Sequence, residues 1–360
     1  MGAECFESRD RKKKKHQMIV VDEDQNLKEL IPILQCFCNI KLLAKYFKND
    51  FKKIQEIPSY KKFRKSNFCL TDYLKDVIDK KWPDLNQLKT SFSIKEEAKE
   101  FLAEIYEIYP KYSENEELLL NLIIMRLHEE LNRVPDSTQQ NPIEAKTDKN
   151  TAANEYFQYF SNGHRSIMSD NFFGTYYIHS CCLTCQTNFY DFQPYIYGVY
   201  SLDQVYNFKT MLFQNAPNAM ISMNEINIYD CLNYDQQIKN DEKLCKKCGV
   251  MTKFSIRNII FVTPHILTFI FNKNNLPSVK FAIYEKININ QFVENQENIN
   301  YDLLFGIITI FPQDHYITFC KNPIDNQWYS YDDTNVQKKN NFQEIICSVG
   351  FPYMLFYKTS

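Results

Sequence analysis

The sequence predicts an α+β fold, with helices through its first half and strands through its second. Three observations carry that expectation. Apolar residues recur at helical intervals up to about residue 134. From about residue 155 short runs rich in Tyr, Phe and Ile take over, bounded by turn formers. No repeat of fixed period is present, so the two kinds of element are segregated rather than interleaved.

Composition narrows the function. The chain of 360 residues is 44% hydrophobic, with 24 Tyr and 28 Phe, enough for one large or two ordinary domains. None of its 7 glycines falls between residues 3 and 162, and no two are close together. That excludes the glycine-rich loops that bring backbone N–H groups against nucleotide phosphates. Lys and Arg number 42 against 44 Asp and Glu, and a net charge of −2 gives no argument for a nucleic-acid partner. The richest apolar run, 118–125, is broken by Asn121 and is too short to span a bilayer. With no apolar leader, the 12 cysteines are expected in a reducing compartment, cytoplasmic first of all. Clustered cysteines there are metal ligands more often than disulfides.

Taken in order, residues 1–17 read as a flexible tail holding the basic run Arg11, Lys12, Lys13, Lys14 and Lys15. Residues 18–360 read as one domain. Residues 27–47 carry Leu30, Ile33, Leu34, Phe37, Leu42 and Leu43 at helical spacing, and 60–110 read as several short helices. Ser113 with Glu116 forms a capping box for a helix through Leu119, Leu122, Ile123 and Leu127, which Pro135 stops. Residues 135–153 are polar and aperiodic and are expected to be a mobile loop. Strands are expected over 256–261, 265–271, 303–311, 316–319 and 353–357.

Two pairs of cysteines share the spacing C-x-x-C: Cys182 with Cys185, and Cys245 with Cys248. Each pair can grip one side of a tetrahedral Zn²⁺, and together they fill its shell, leaving no open position for catalysis. Gly249 suits the tight turn after the second pair. The alternative is four ordinary thiols. Cys36, Cys38, Cys69, Cys231, Cys320 and Cys347 read as small core residues.

A His and an Asp stand on neighbouring strand-like runs, 315–320 and 328–333, separated by turn formers. A turn centred between Pro323 and Ile324 sets His315 directly opposite Asp332, on one face of the pair. An Asp beside a His orients the imidazole and stabilises its charged form, as in a nucleophilic triad. A purely structural pair is the alternative.

These residues together resemble the ubiquitin-specific proteases, a family of papain-like cysteine deubiquitinases, and six motifs occur in the family's order. Leu34, Gln35 and Cys36 with 42–47 look like the helix after the catalytic cysteine. The run Leu127-His128-Glu129-Glu130-Leu131-Asn132-Arg133 is close to a family box, and 166–174 leads into the first cysteine pair as it does there. Asp230, Cys231 and Leu232 precede the second pair. Residues 264–267 resemble the strand that follows it. His315, Trp328, Asp332 and the run 352–357 match the C-terminal boxes. The resemblance implies a hand-like fold: a helical thumb at about 18–134, zinc-tipped β fingers at 172–252 and a β palm at 253–358. It implies structural Zn²⁺ on Cys182, Cys185, Cys245 and Cys248, and ubiquitin or a ubiquitinated protein as partner. It assigns the family's catalytic histidine and aspartate to His315 and Asp332.

The nucleophile does not carry over. Placed without gaps on Leu34 and Gln35, the family box puts Lys28 where the cysteine belongs and Glu23 where an asparagine helps form the oxyanion hole. A carboxylate repels a developing oxyanion, and an ammonium cannot replace a thiolate. Asp314 stands where the family has a glycine before its histidine. Cys36 lies about 12 Å of helix rise beyond position 28.

The expectation is therefore an inactive homologue that binds ubiquitin or a partner as a scaffold. Its alternatives are an active deubiquitinase using another cysteine, and a structural subunit without ubiquitin binding. At the N-terminus, Gly2, Cys5 and the basic run suggest acylation and contact with a membrane, although Phe6 departs from the acylation motif. The basic run also reads as a nuclear-localisation patch.

Overall fold

The computed structural model describes residues 25–66, 69–89, 93–109, 119–134, 144–215, 225–272, 279–294, 298–310, 315–332, 335–342 and 351–360. Glu23, Asp314, Cys347, the capping pair Ser113 and Glu116, and the whole tail with Gly2 and Cys5 lie outside them.

The first half is helical, as the spacing predicts. Its elements are α1 (Gln25–Cys38), α2 (Lys41–Asn49), α3 (Phe51–Glu56), α4 (Pro58–Lys65), α5 (Leu70–Lys81), α6 (Lys95–Ile108) and α7 (Leu119–Glu130). The single periodic stretch 27–47 is two helices bent by 75°. The bend is set where α1 runs out, buried, with four carbonyls to satisfy. Gln35 O accepts from the Asn39 side chain at 2.7 Å and Cys38 O from the Trp82 indole at 2.6 Å. Cys36 O and Phe37 O accept from the amides of Asn39 and Ile40.

The box 127–133 is a structural joint. Glu130, fully buried at the end of α7, accepts from the backbone amides of Leu70 (2.9 Å) and Thr71 (2.8 Å), from the Thr71 hydroxyl and from Arg126 Nε at 2.8 Å. It thus caps α5 from another helix, where α5's own leading residue, Cys69, makes no side-chain cap. Asn132 holds the Gly163 carbonyl and the Arg165 amide.

Beyond the box, α8 (Lys149–Gly163) and α9 (Ile167–Phe172) follow. The loop expected through 153 is therefore helical from Lys149. The Asp148 side chain accepts from the Thr151 amide and starts the helix. Its buried positions, Ala152 and Tyr156, begin just where the polar segment was expected to end.

The strands fall into two main sheets. The fingers are β1 (Gly174–Cys182), β2 (Asn188–Tyr195), β5 (Lys239–Leu244) and β6 (Met251–Val262), in the order β2-β1-β6-β5. Between them in sequence lie β3 (Tyr197–Ser201), α10 (Leu202–Asn215), β4 (Glu225–Asn227) and α11 (Ile228–Asp235). Later come β7 (Ile266–Asn272), β8 (Lys280–Ala282), β9 (Lys286–Asn288), β10 (Asn300–Ile310), β11 (His315–Lys321), β12 (Trp328–Asp332), β13 (Asn335–Lys339) and β14 (Phe351–Thr359). The palm sheet runs β13-β12-β11-β10-β14-β7-β3, with β9 beside β10, while β4 and β8 pair apart. The expected finger segment 172–252 is thus interrupted, because β3 joins β7 in the palm, and β6 carries the fingers on to Val262.

The palm sheet is buried on both faces, with alternate residues serving opposite cores. On β14, Met354 and Phe356 pack into the thumb helices, whereas Leu355 and Tyr357 pack on the other side with α11 residues. Gly306 on β10 is required here, since a Cβ would lie 2.4 Å from the Phe319 ring.

His128 joins α7 to α9. Its Nδ1 is 2.8 Å from Ser166 Oγ and its Nε2 is 3.2 Å from His164 Nδ1. The Ser166 oxygen already accepts from the amides of Met168 and Ser169, so its hydroxyl donates to Nδ1, and Nε2–H donates to His164. Burial, with the neighbouring His164, lowers the His128 pKa to about 4 from 6.5.

These joints set two stability expectations. Glu130→Ala is expected to cost about 3–5 kcal/mol in denaturant unfolding, because it removes the buried partner of Arg126 Nε and uncaps the start of α5; a loss below about 1 kcal/mol would refute the capping role. The His128 pKa is lowered by folding, so the unfolded chain takes up the extra proton. Stability is full above about pH 6.5 and falls by about 3 kcal/mol as pH drops toward 4. Unfolding curves at pH 7 and 4.5 check this, and His128→Gln should flatten the difference.

Candidate functional site

The His–Asp pair forms at the open end of the β11–β12 hairpin. His315 Nε2 is 2.5 Å from Asp332 Oδ1, and both are partly exposed. The predicted register is off by two residues: Thr318 faces Tyr331, so Asp332 falls diagonally across from His315 rather than opposite it. The loop explains the shift. It closes from Asn322 N–H to Gln327 O at 2.9 Å and turns through Asn326, whose φ is +62°. Asn322 Oδ1 accepts from the Ile324 amide and Asp325 Oδ1 from the Gln327 amide. Its centre is therefore between Ile324 and Asp325. A shift of two keeps both side chains on one face, so the pair survives the error. An Nε2–H given to Asp332 leaves the imidazole lone pair on Nδ1, the form of a general base.

α1 runs alongside β11. Glu29 accepts from the Tyr353 hydroxyl at 2.7 Å, and the Tyr353 ring lies 5.2 Å from that of Tyr316, the neighbour of His315. Further along, Cys36 meets Cys320 at the other end of β11. The first turn of α1 thus lies at the His315 end, and Lys28 is exposed on that turn. Cys36 and Cys38 are fully buried, and burial raises the Cys36 thiol well above its ordinary pKa and the Cys38 thiol to about 12. Neither supplies a thiolate at neutral pH. Cys69, Cys231 and Cys320 are buried as expected.

The four finger cysteines converge. Cys182 ends β1 and Cys245 follows β5, and the sulfurs of Cys182, Cys185, Cys245 and Cys248 all lie within 4.8 Å of one another. The Cys185–Cys245 sulfur separation is 3.7 Å. Thiolates at the usual Zn–S length of about 2.3 Å sit about 3.8 Å apart at the corners of a tetrahedron, so the set fits zinc. Both knuckles have one backbone design. Cys182 N–H bonds Thr187 O and Gln186 N–H bonds Cys182 O; Cys245 N–H bonds Val250 O and Gly249 N–H bonds Cys245 O. The fifth residue of each is left-handed, Gln186 at φ +57° and Gly249 at φ +71°. Sequence reading found the glycine and missed the glutamine, because only Gly advertises that conformation. The Thr187 hydroxyl beside Cys185 lowers its pKa to about 6, and the Cys248 amide directed at Cys245 lowers that one. Among the described residues, Phe254 is buried with Cys182 and Cys245, with Phe189 and Ile256 half-buried against them, so the fingertip has a small core of its own.

The ubiquitin carboxyl-terminal hydrolase family model matches residues 31–357. The chain belongs to that family. Its fold is the papain-like hand, with thumb, palm and fingers as expected from the resemblance. Solved structures of similar fold include a yeast SAGA DUB module carrying a point mutant of Sgf73, with a TM-score of 0.59 and 15% identity over 94% of this chain and 67% of that one. A SAGA DUB module of a Ubp8 point mutant with Sgf11, Sus1 and Sgf73 also gives a TM-score of 0.59, with 16% identity over 100% of this chain and 71% of that one. A third, another Ubp8 point mutant with the same three subunits and bound to monoubiquitin, gives 0.53 and 15% identity over 88% and 67%. No curated protein matches the sequence.

Metal analysis of purified protein is expected to find one zinc per chain. Chelation should speed amide exchange at 182–187 and 245–250 while leaving the palm protected; unchanged exchange at the tip would exclude a metal-held finger. Gly249→Ala should cost about 1–2 kcal/mol at the tip through φ alone, since no atom lies within 4 Å of the added Cβ.

Proposed function

We propose that this chain is a catalytically inactive member of its family that binds ubiquitin, or a ubiquitinated protein, as an adaptor within a larger assembly. One observation carries the reading. The first turn of α1 lies at the end of β11 that carries His315 and presents an exposed Lys28, and the described thiols along α1 are buried and held above their ordinary pKa. A histidine base without a thiol to activate has no nucleophile to deliver. The folds it resembles come from complexes of several subunits, one of them bound to monoubiquitin, which supports ubiquitin and protein partners for this chain. Zinc on the four finger cysteines holds the fingertip in this reading, and His315 with Asp332 serves as a hydrogen-bonded pair in the palm.

The test is a ubiquitin whose C-terminus carries a propargylamide. The native chain should form no adduct, while calorimetry detects micromolar binding of unmodified ubiquitin. Lys28→Cys should restore a covalent adduct that His315→Ala then weakens by at least about tenfold. Labelling of the native chain would establish the active alternative. Absence of any ubiquitin binding would leave only a structural subunit.

A further inference from the structure

The balanced charge of the whole chain conceals a segregation. Residues 41–66 hold nine basic residues, Lys41, Lys45, Lys48, Lys52, Lys53, Lys61, Lys62, Arg64 and Lys65, against two acidic ones, Asp50 and Glu56. They lie on α2, α3 and α4, which pack on one another and on α1, α5 and α7 rather than on the palm sheet. This face of the thumb is therefore separate from the His315–Asp332 site. Six of the nine, Lys45, Lys52, Lys53, Lys61, Lys62 and Lys65, are exposed. The carboxylates of the segment are already used, Asp50 by Lys53 at 2.7 Å and Glu56 by Lys61 at 2.6 Å, and Asp79 of α5 holds Lys48 at 3.2 Å. Among the described residues Lys45, Lys52 and Lys65 form no ion pair.

We infer that this face binds the phosphate backbone of a nucleic-acid duplex without regard to sequence. The apolar side chains of the three helices point mostly inward: Leu43, Ala44, Phe47, Ile54, Ile57 and Tyr60 are buried, Tyr46, Phe51 and Phe63 are half-buried, and Leu42 is exposed, at 38%. A protein interface needs exposed apolar or aromatic anchors at its centre, and a membrane-surface helix needs an apolar face to insert. This surface offers neither. Its exposed cations are all lysines, compact point charges that meet phosphate without a fixed bidentate geometry, which suits contact indifferent to sequence. The one arginine is turned to Asp72 at 3.6 Å. What remains is an array of compact positive charges that gains by displacing counterions from a regular polyanion.

The experiment measures anisotropy of a labelled DNA duplex of about 25 base pairs with the full chain, between about 50 and 200 mM NaCl. The variant Lys45→Gln/Lys52→Gln/Lys65→Gln should bind at least about tenfold more weakly at about 100 mM, and its log–log salt slope should shrink by about 2.7, near 0.9 per lost phosphate contact. Exposed residues outside the thumb provide a control: Lys280→Gln/Lys338→Gln/Lys358→Gln should change neither. The basic tail is present in all three proteins, so it cannot produce the difference. Three results overturn the inference: no duplex binding, an unaltered slope in the thumb variant, or tighter binding to vesicles holding about 30% phosphatidylserine than to the duplex at equal salt.

Discussion

The fold depends on burying one helix on all sides. From Leu30 to Cys38 every residue of α1 except Ile31 is buried, and its neighbours are α5, α6 and α7 on one side and β10 and β11 on the other. A helix enclosed in this way cannot leave its last carbonyls to water, so Asn39 and Trp82 must reach them. That closure fixes the 75° exit into α2 and the direction in which α1 enters the palm. The entry end carries Lys28, and the strand alongside carries His315. Where α1 begins relative to β11 is thus set by a packing constraint, by which of its residues must be inside.

Much of this was legible in the sequence. The segregation of helices and strands, the two cysteine pairs and the sharing of one face by His315 and Asp332 follow from period, spacing and parity. The hidden parts have physical reasons. Helix α8 begins with polar residues, and its start is signalled only by Asp148 bonding Thr151. Gln186 adopts a left-handed conformation that its identity does not announce. Glu130 reads as an ordinary surface acid in a charged run, yet its partners lie 59 and 60 residues away, and no local pattern reports a cap supplied by another helix. The hairpin register moved because side-chain bonds from Asn322 and Asp325 choose the loop centre.

The two ends of the molecule are stabilised by different means. Thumb and palm share a continuous apolar core reaching from α1 to β14. The fingertip has a cluster too small to order two loops. With a metal on the four converged sulfurs, each thiolate–metal bond would do locally what many apolar contacts do elsewhere. The register of β1 with β6 runs unbroken from Tyr176 to Cys182, after a shift at Thr175, so the strands can stay paired while the tip opens.

The hairpin between β11 and β12 also constrains how the chain can vary. Side chains alternate between faces, so each residue by which β12 slips against β11 turns everything after it by half a period. A change of one residue would carry Asp332 to the opposite side of the sheet, away from His315; a change of two would return it. Length changes that the turn absorbs therefore keep the pair, whereas changes that pass into the strands keep it only in even steps, a discrete rule imposed by the pleat.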